Sequence, residues 1–87
     1  MTLTIRVTSF FTRRYRELTA QHQADFEQAL QRFIDNPFDP RLRTHKLKGK
    51  WAGFWAFSIN HSHRVLFKFS GKETVDLINV GDHSIYR

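Results

Sequence analysis

The chain has no cysteine, only two prolines and four glycines among 87 residues, and few acids. Without cysteine it has neither a disulfide framework nor a thiolate zinc site. No stretch approaches the ~20 consecutive apolar residues of a membrane-spanning helix. The opening segment, Met1 to Val7, carries Arg6 and lacks a long apolar run, so no secretory leader is expected there. A cytoplasmic protein without membrane association is the expectation. Glycine-rich phosphate loops, a nucleophile elbow and metal-binding motifs are also missing. The eight Asp and Glu are scattered, which disfavours two-metal nuclease chemistry. No metal and no cofactor are therefore expected.

What the chain does have is cations and aromatics. Lys and Arg total 14 against 8 acids, for a net charge of +6. Such a surface concentrates polyanions through long-range attraction and counterion release. Nucleic acid is the first candidate partner, with anionic membrane and an acidic protein left open. Apolar residues make up 40% of the chain and include nine Phe and two Trp. That supports one compact core, and the length allows a single domain spanning 1–87.

Leu3, Ile5 and Val7 alternate with polar neighbours, as in a strand. Ser9 then suits a helix N-cap, and Phe11, Tyr15 and Leu18 follow at helical spacing. A second helix is expected over Ala20 to Asp35, stopped by Asn36-Pro37. A loop and a cationic run follow, with Arg41, Arg43, Lys46, Lys48 and Lys50 and no acid from Arg41 to Lys50. Three strands close the chain: Phe54 to Ile59, His63 to Phe69 and Thr74 to Val80. Short turns make them an antiparallel meander. The expected fold is α+β in two layers, with the N-terminal strand and a helical hairpin packed on a small antiparallel sheet. One sheet face would remain open.

Strand parity separates Val65, Phe67 and Phe69 from Arg64, Leu66 and Lys68. Two cations on one face of a central strand point to anion recognition, because a guanidinium matches phosphate oxygens bidentately. A solvated surface arginine is the competing explanation. His83 lies just beyond the last strand and has the chemistry of an acid or base. It equally fits a fraying tail. His45 opens the run His45-Lys46-Leu47-Lys48-Gly49-Lys50, which suits phosphate binding or simply a charged loop. His61 and His63 flank a turn. Their side chains should diverge, and no nearby carboxylate completes a metal set, so RNA contacts or turn roles fit better. Tyr86, Trp51, Phe54 and Trp55 are able to stack on bases, although core burial suits Trp55 and Phe57 better. A nuclease built from this inventory would act on RNA, whose 2′-OH supplies the nucleophile beside the scissile phosphate.

Three segments carry a resemblance. Asn36-Pro37 followed by His45-Lys46-Leu47-Lys48-Gly49-Lys50-Trp51-Ala52-Gly53-Phe54-Trp55 resembles the H-x-L-x-G-x-x-x-G segment of RelE/YafQ-type toxins. His63-Arg64-Val65-Leu66-Phe67-Lys68 resembles their central strand. Asn79-Val80-Gly81-Asp82-His83 with Tyr86 resembles their C-terminal signature. The order and spacing agree over most of the chain.

The resemblance implies a RelE-like fold and a toxin that cleaves messenger RNA on the ribosome. His45 and His83 would be the acid/base pair, Arg64 would hold the scissile phosphate, and Tyr86 would pack near it. Lys46, Lys48, Lys50, His61, His63 and Lys68 would bind RNA. A cognate antitoxin would be the protein partner, with operator DNA reached only through it. Relatives of YafQ carry a further His and an Asp where this chain has Ser58 and Ser62, with His61 and His63 close by. The aromatic after His83 is also one residue nearer than in some relatives. Two other readings share the fold: a ParE-like gyrase poison that cuts nothing, and an inactive subunit of an antitoxin-bound repressor. ParE-type chains generally lack the clustered set of His45, His83 and Tyr86, which favours the nuclease.

Overall fold

The computed structural model describes residues 3–86. Strand β1 (Thr4–Val7) leads into helices α1 (Ser9–Arg16) and α2 (Ala20–Asp35). Thr8, rather than Ser9, caps α1: its hydroxyl accepts the Phe11 N–H at 3.0 Å. Thr8 takes this role because its own N–H is held by the Leu77 carbonyl, which keeps its backbone extended as an N-cap requires. Thr19 caps α2 by accepting the His22 N–H at 3.1 Å. The second helix ends at Asn36, extended ahead of Pro37, as expected.

The remaining elements are a 3-10 turn (Pro40–Leu42), β2 (His45–Lys46), a second 3-10 turn (Gly49–Trp51), β3 (Trp55–Ser58), β4 (Arg64–Phe69), β5 (Thr74–Gly81) and a final 3-10 turn (His83–Tyr86). The sheet order is β1-β5-β4-β3-β2. The meander is antiparallel, as expected. By contrast, β1 runs parallel to β5, which makes the five-stranded sheet mixed. The two helices lie on one face, giving the two-layer α+β arrangement.

Phe33 of α2 is the centre of the core. It stacks on Phe57 at 4.6 Å and meets Phe67 edge-on at 5.0 Å, and all three rings are fully buried. Truncating such a ring to alanine costs ~3–5 kcal/mol. One irregularity shapes the functional end. Leu66 pairs with Asn79 but Phe67 pairs with Leu77, so Ile78 is an extra residue in β5. This bulge lets both Leu77 and Val80 face the helices, and it resets the parity of the chain entering the tail.

The other sheet face is not bare. Ala56 and Leu66 are buried there, and Ile85 of the final turn is buried too. The tail is anchored by this apolar side chain. Gly81 passes so close beneath it that a Cβ there would stand 3.0 Å from Ile85 Cγ2.

Candidate functional site

The pairing register settles which cations share the open face. His45 stands opposite Ala56 and Ala56 opposite Leu66, while Ser58 and Gly81 flank Arg64. His45, Ser58, Arg64 and Leu66 therefore project to the side away from the helices. Arg64 donates from one Nη to His83 Nε2 at 3.1 Å. A guanidinium only donates, so this contact makes Nε2 the acceptor and puts the imidazole proton on Nδ1. Asp82 does not orient His83. Its carboxylate accepts the Ser84 N–H at 2.9 Å, capping the final turn, and that bond draws its pKa down.

His45 is held differently. Its Nδ1 lies 2.8 Å from the Arg43 carbonyl, which only accepts, so Nδ1 carries a proton and, in the neutral tautomer, the lone pair is on Nε2. Sheet spacing puts His45 roughly 12 Å from Arg64, backbone to backbone, across β3. The two do not touch.

The glycines of the H-x-L-x-G-x-x-x-G segment have a geometric reason. Gly49 and Gly53 take φ of 65° and 94°, where a Cβ is strained. The turn they frame brings the Trp51 indole to donate to the Tyr86 carbonyl at 3.0 Å. Trp51 thereby ties the tail to the cationic loop. Tyr86 is partly buried near His83, with ring centroids 6.5 Å apart, and burial raises its phenol pKa against an opposing effect of Arg64.

The other expected contacts are dispersed. Lys46 lies over the Trp55 ring at 5.6 Å, on the opposite face from His45. Lys50 lies over Trp51 at 5.9 Å and Lys48 is exposed beside it. Lys68 shares the parity of Arg64 but stands at the far end of β4, opposite Asp76. His63 is half-buried against His22, centroids 3.9 Å apart. Burial and then His22 lower its pKa, offset by Asp82 and Asp25. Ser62 hydrogen-bonds His63 Nδ1 at 2.7 Å, and Asn60 accepts the N–H groups of both Ser62 and His63. His61 stays exposed between two cavities.

One cavity, about 430 Å³ and open, is lined by His61, Ser62, Asp82, His83 and Ser84. The other, about 270 Å³, brings Arg32, Arg41 and Arg43 together with Ser58, His61 and Arg64. Sequence reasoning gave Arg32 no functional role within the second helix and left Arg41 and Arg43 as a charged run. Only tertiary packing of α2 against the β3–β4 turn joins them.

No protein-family model matches the sequence, and no curated protein matches it. Solved structures do match. YafQ from E. coli strain BL21(DE3) superposes with a TM-score of 0.79 at 14% identity, covering 97% of each chain. The YoeB/ParE toxin from Agrobacterium tumefaciens gives 0.78 at 21%, covering 93% of this chain and 99% of that one. In the E. coli DinJ-YafQ toxin-antitoxin complex the matching chain gives 0.77 at 13%, covering 98% and 97%. The chain has the fold of the RelE/ParE-type toxins, with YafQ among its near structural neighbours.

Proposed function

We propose that the chain is the toxin of a toxin–antitoxin pair and an endoribonuclease that cuts messenger RNA on the ribosome, in the cytoplasm. The observation that carries this reading is the Arg64–His83 contact on the open face, with His45 projecting from the same side of the sheet. A phosphodiester entering the site takes the Arg64 donors and frees His83 Nε2. One histidine then removes the 2′-OH proton as the 2′ oxygen bonds to phosphorus. The other, after taking up a proton from solvent at its Nε2, gives that proton to the departing 5′ oxygen. The products are a 2′,3′-cyclic phosphate, which water opens to a 3′-phosphate, and a 5′-OH. Arg64 stabilises the charge growing on the phosphoryl oxygens.

An antitoxin partner is supported by features outside the site. Strand β1 is an edge of the sheet, and Val7 at its end is exposed. Beside it Val7, Phe11, Tyr15 and Phe26 line an apolar groove of about 200 Å³. An acidic antitoxin segment that folds on this basic chain matches both features.

Primer extension on a model messenger RNA, with and without programmed ribosomes, tests the reading. New 3′ ends inside codons are expected with the wild type and not with His83→Ala. Absence of cleavage in both conditions, with cell growth still arrested, would replace the nuclease by gyrase poisoning or another target.

A further inference from the structure

The arginine-lined cavity is separate from the Arg64–His83 contact but shares Arg64 with it. Arginines from three elements line it: Arg32 from the last turn of α2, Arg41 and Arg43 from the Pro40–Leu42 turn and its end, and Arg64 from β4. No carboxylate lines the cavity. Asp39 holds Arg41 from outside it, with bonds of 3.1 and 2.7 Å to Nε and Nη2. With Arg41 paired to Asp39, the charges of Arg32, Arg43 and Arg64 around one concavity repel each other, and an anion between them relieves that repulsion.

Arg43 adds an independent observation. Among the described residues it is the only non-glycine with positive φ, at 52°. Glycine would adopt that conformation without strain, yet the position carries a long cationic side chain. The same left-handed turn aims the Arg43 carbonyl at His45 Nδ1. One strained residue thus supplies a cation to the cavity and fixes the ring of the candidate acid/base.

We propose that this cavity is a second phosphate subsite, taking the backbone phosphodiester next to the one held by Arg64 and His83 on the same RNA strand. The proposal rests on the RNA-cleavage reading and extends it. Bound there, the neighbouring phosphate fixes the register of the strand, so that the 2′-OH beside Arg64 lies within reach of His45. His61, exposed between the two cavities, lines both.

The test is binding of a short 2′-O-methylated RNA strand, which has no free 2′-OH and is not cut. Affinity is followed by fluorescence anisotropy over a series of salt concentrations. Arg43→Gly keeps the backbone conformation and removes the guanidinium, and Arg43→Asn is a second variant tolerant of positive φ. Combined with Arg32→Gln, either is expected to weaken binding about tenfold at low salt. The slope of log affinity against log salt should fall by ~0.7, the value for one phosphate on a single strand. Lys72→Gln, in the β4–β5 turn, should change neither.

An unchanged slope in the double variant would overturn the proposal. So would absence of strand binding by the wild type at low salt. Inorganic phosphate competing as well as the strand, at matched ionic strength, would make the cavity a free-anion site instead. Lost binding of a polyglutamate peptide with RNA binding retained would reassign it to a protein partner. A reduced slope in a protein that cleaves no RNA would sink the nuclease reading and leave the subsite standing. Normal cleavage with an unchanged slope would do the reverse.

Discussion

Replacing Arg64 separates phosphate stabilisation from ribosome binding. Its guanidinium is half-buried on the open face and donates to His83, so in the proposed reaction it meets the phosphoryl oxygens where charge develops. Removing one such preorganised donor costs ~10²–10³-fold in rate, or about 3–4 kcal/mol. Arg64→Ala should therefore lower single-turnover cleavage on programmed ribosomes by that factor. Arg64→Lys restores a charge but not the bidentate fork. A point charge 4 Å from a phosphate oxygen is worth about 1 kcal/mol in water, so lysine should recover only roughly fivefold of the loss.

Ribosome affinity, measured separately, should fall much less, because many other cations contribute to it. Folding should also be spared: a partly exposed side chain outside the core shifts stability by about 0.5 kcal/mol, or a few degrees in Tm for a domain this size. Equal losses of affinity and cleavage in Arg64→Ala would make the residue a general binding contact. Full recovery in Arg64→Lys would refute the argument from the fork.

Two further outcomes follow from other contacts. Trp51→Phe removes the indole donor to the Tyr86 carbonyl, a bond worth about 1 kcal/mol. The tail should open more often, and the Ile85 amide, which donates to the Asp82 carbonyl, should exchange roughly fivefold faster. Exchange at the wild-type rate would mean that Ile85 alone holds the tail. In β5, hydrogen bonds from Arg6 and then Ser70 bring Asp76 down from 3.8 to about 2. A folded-state value below the unfolded one gives stability that is full above about pH 4 and lost as pH falls toward 2. The Tm gap between wild type and Asp76→Asn should close over that window; a gap constant with pH would remove the ion pair as its cause.

Local pattern identified α2 from Ala20 to Asp35 because two signals agree there: apolar spacing along it and Asn36-Pro37 after it. It also separated the faces of β4, because alternation needs no knowledge of partners: Val65 and Phe67 are buried in the core while Arg64 projects the other way. What it missed depends on contacts distant in sequence. His45-Lys46 read as a charged loop, and is a strand only because Ala56 and Trp55 pair with it. Ser9 and Thr8 are equivalent as cap residues until the Leu77 carbonyl selects Thr8. The tail was legible as chemistry, with His83 and Tyr86, but not as structure, because Ile85 folds it onto a sheet face that the alternation of β4 left looking open.

This division has a physical cause that bears on the site. Helix periodicity and caps are satisfied within a few residues, so they appear in local sequence. An anion site collects charges that repel one another, and no local element gathers them. In this chain they are brought together by the α2 terminus, the strained Arg43 turn and the start of β4, each held by apolar packing elsewhere. The stability of the Phe33–Phe57–Phe67 core is thus what keeps Arg32, Arg43 and Arg64 at one cavity despite their repulsion. Core and site are coupled in this way even though no core ring lines the cavity, and loosening α2 on the sheet should disperse the arginines before it unfolds the strands.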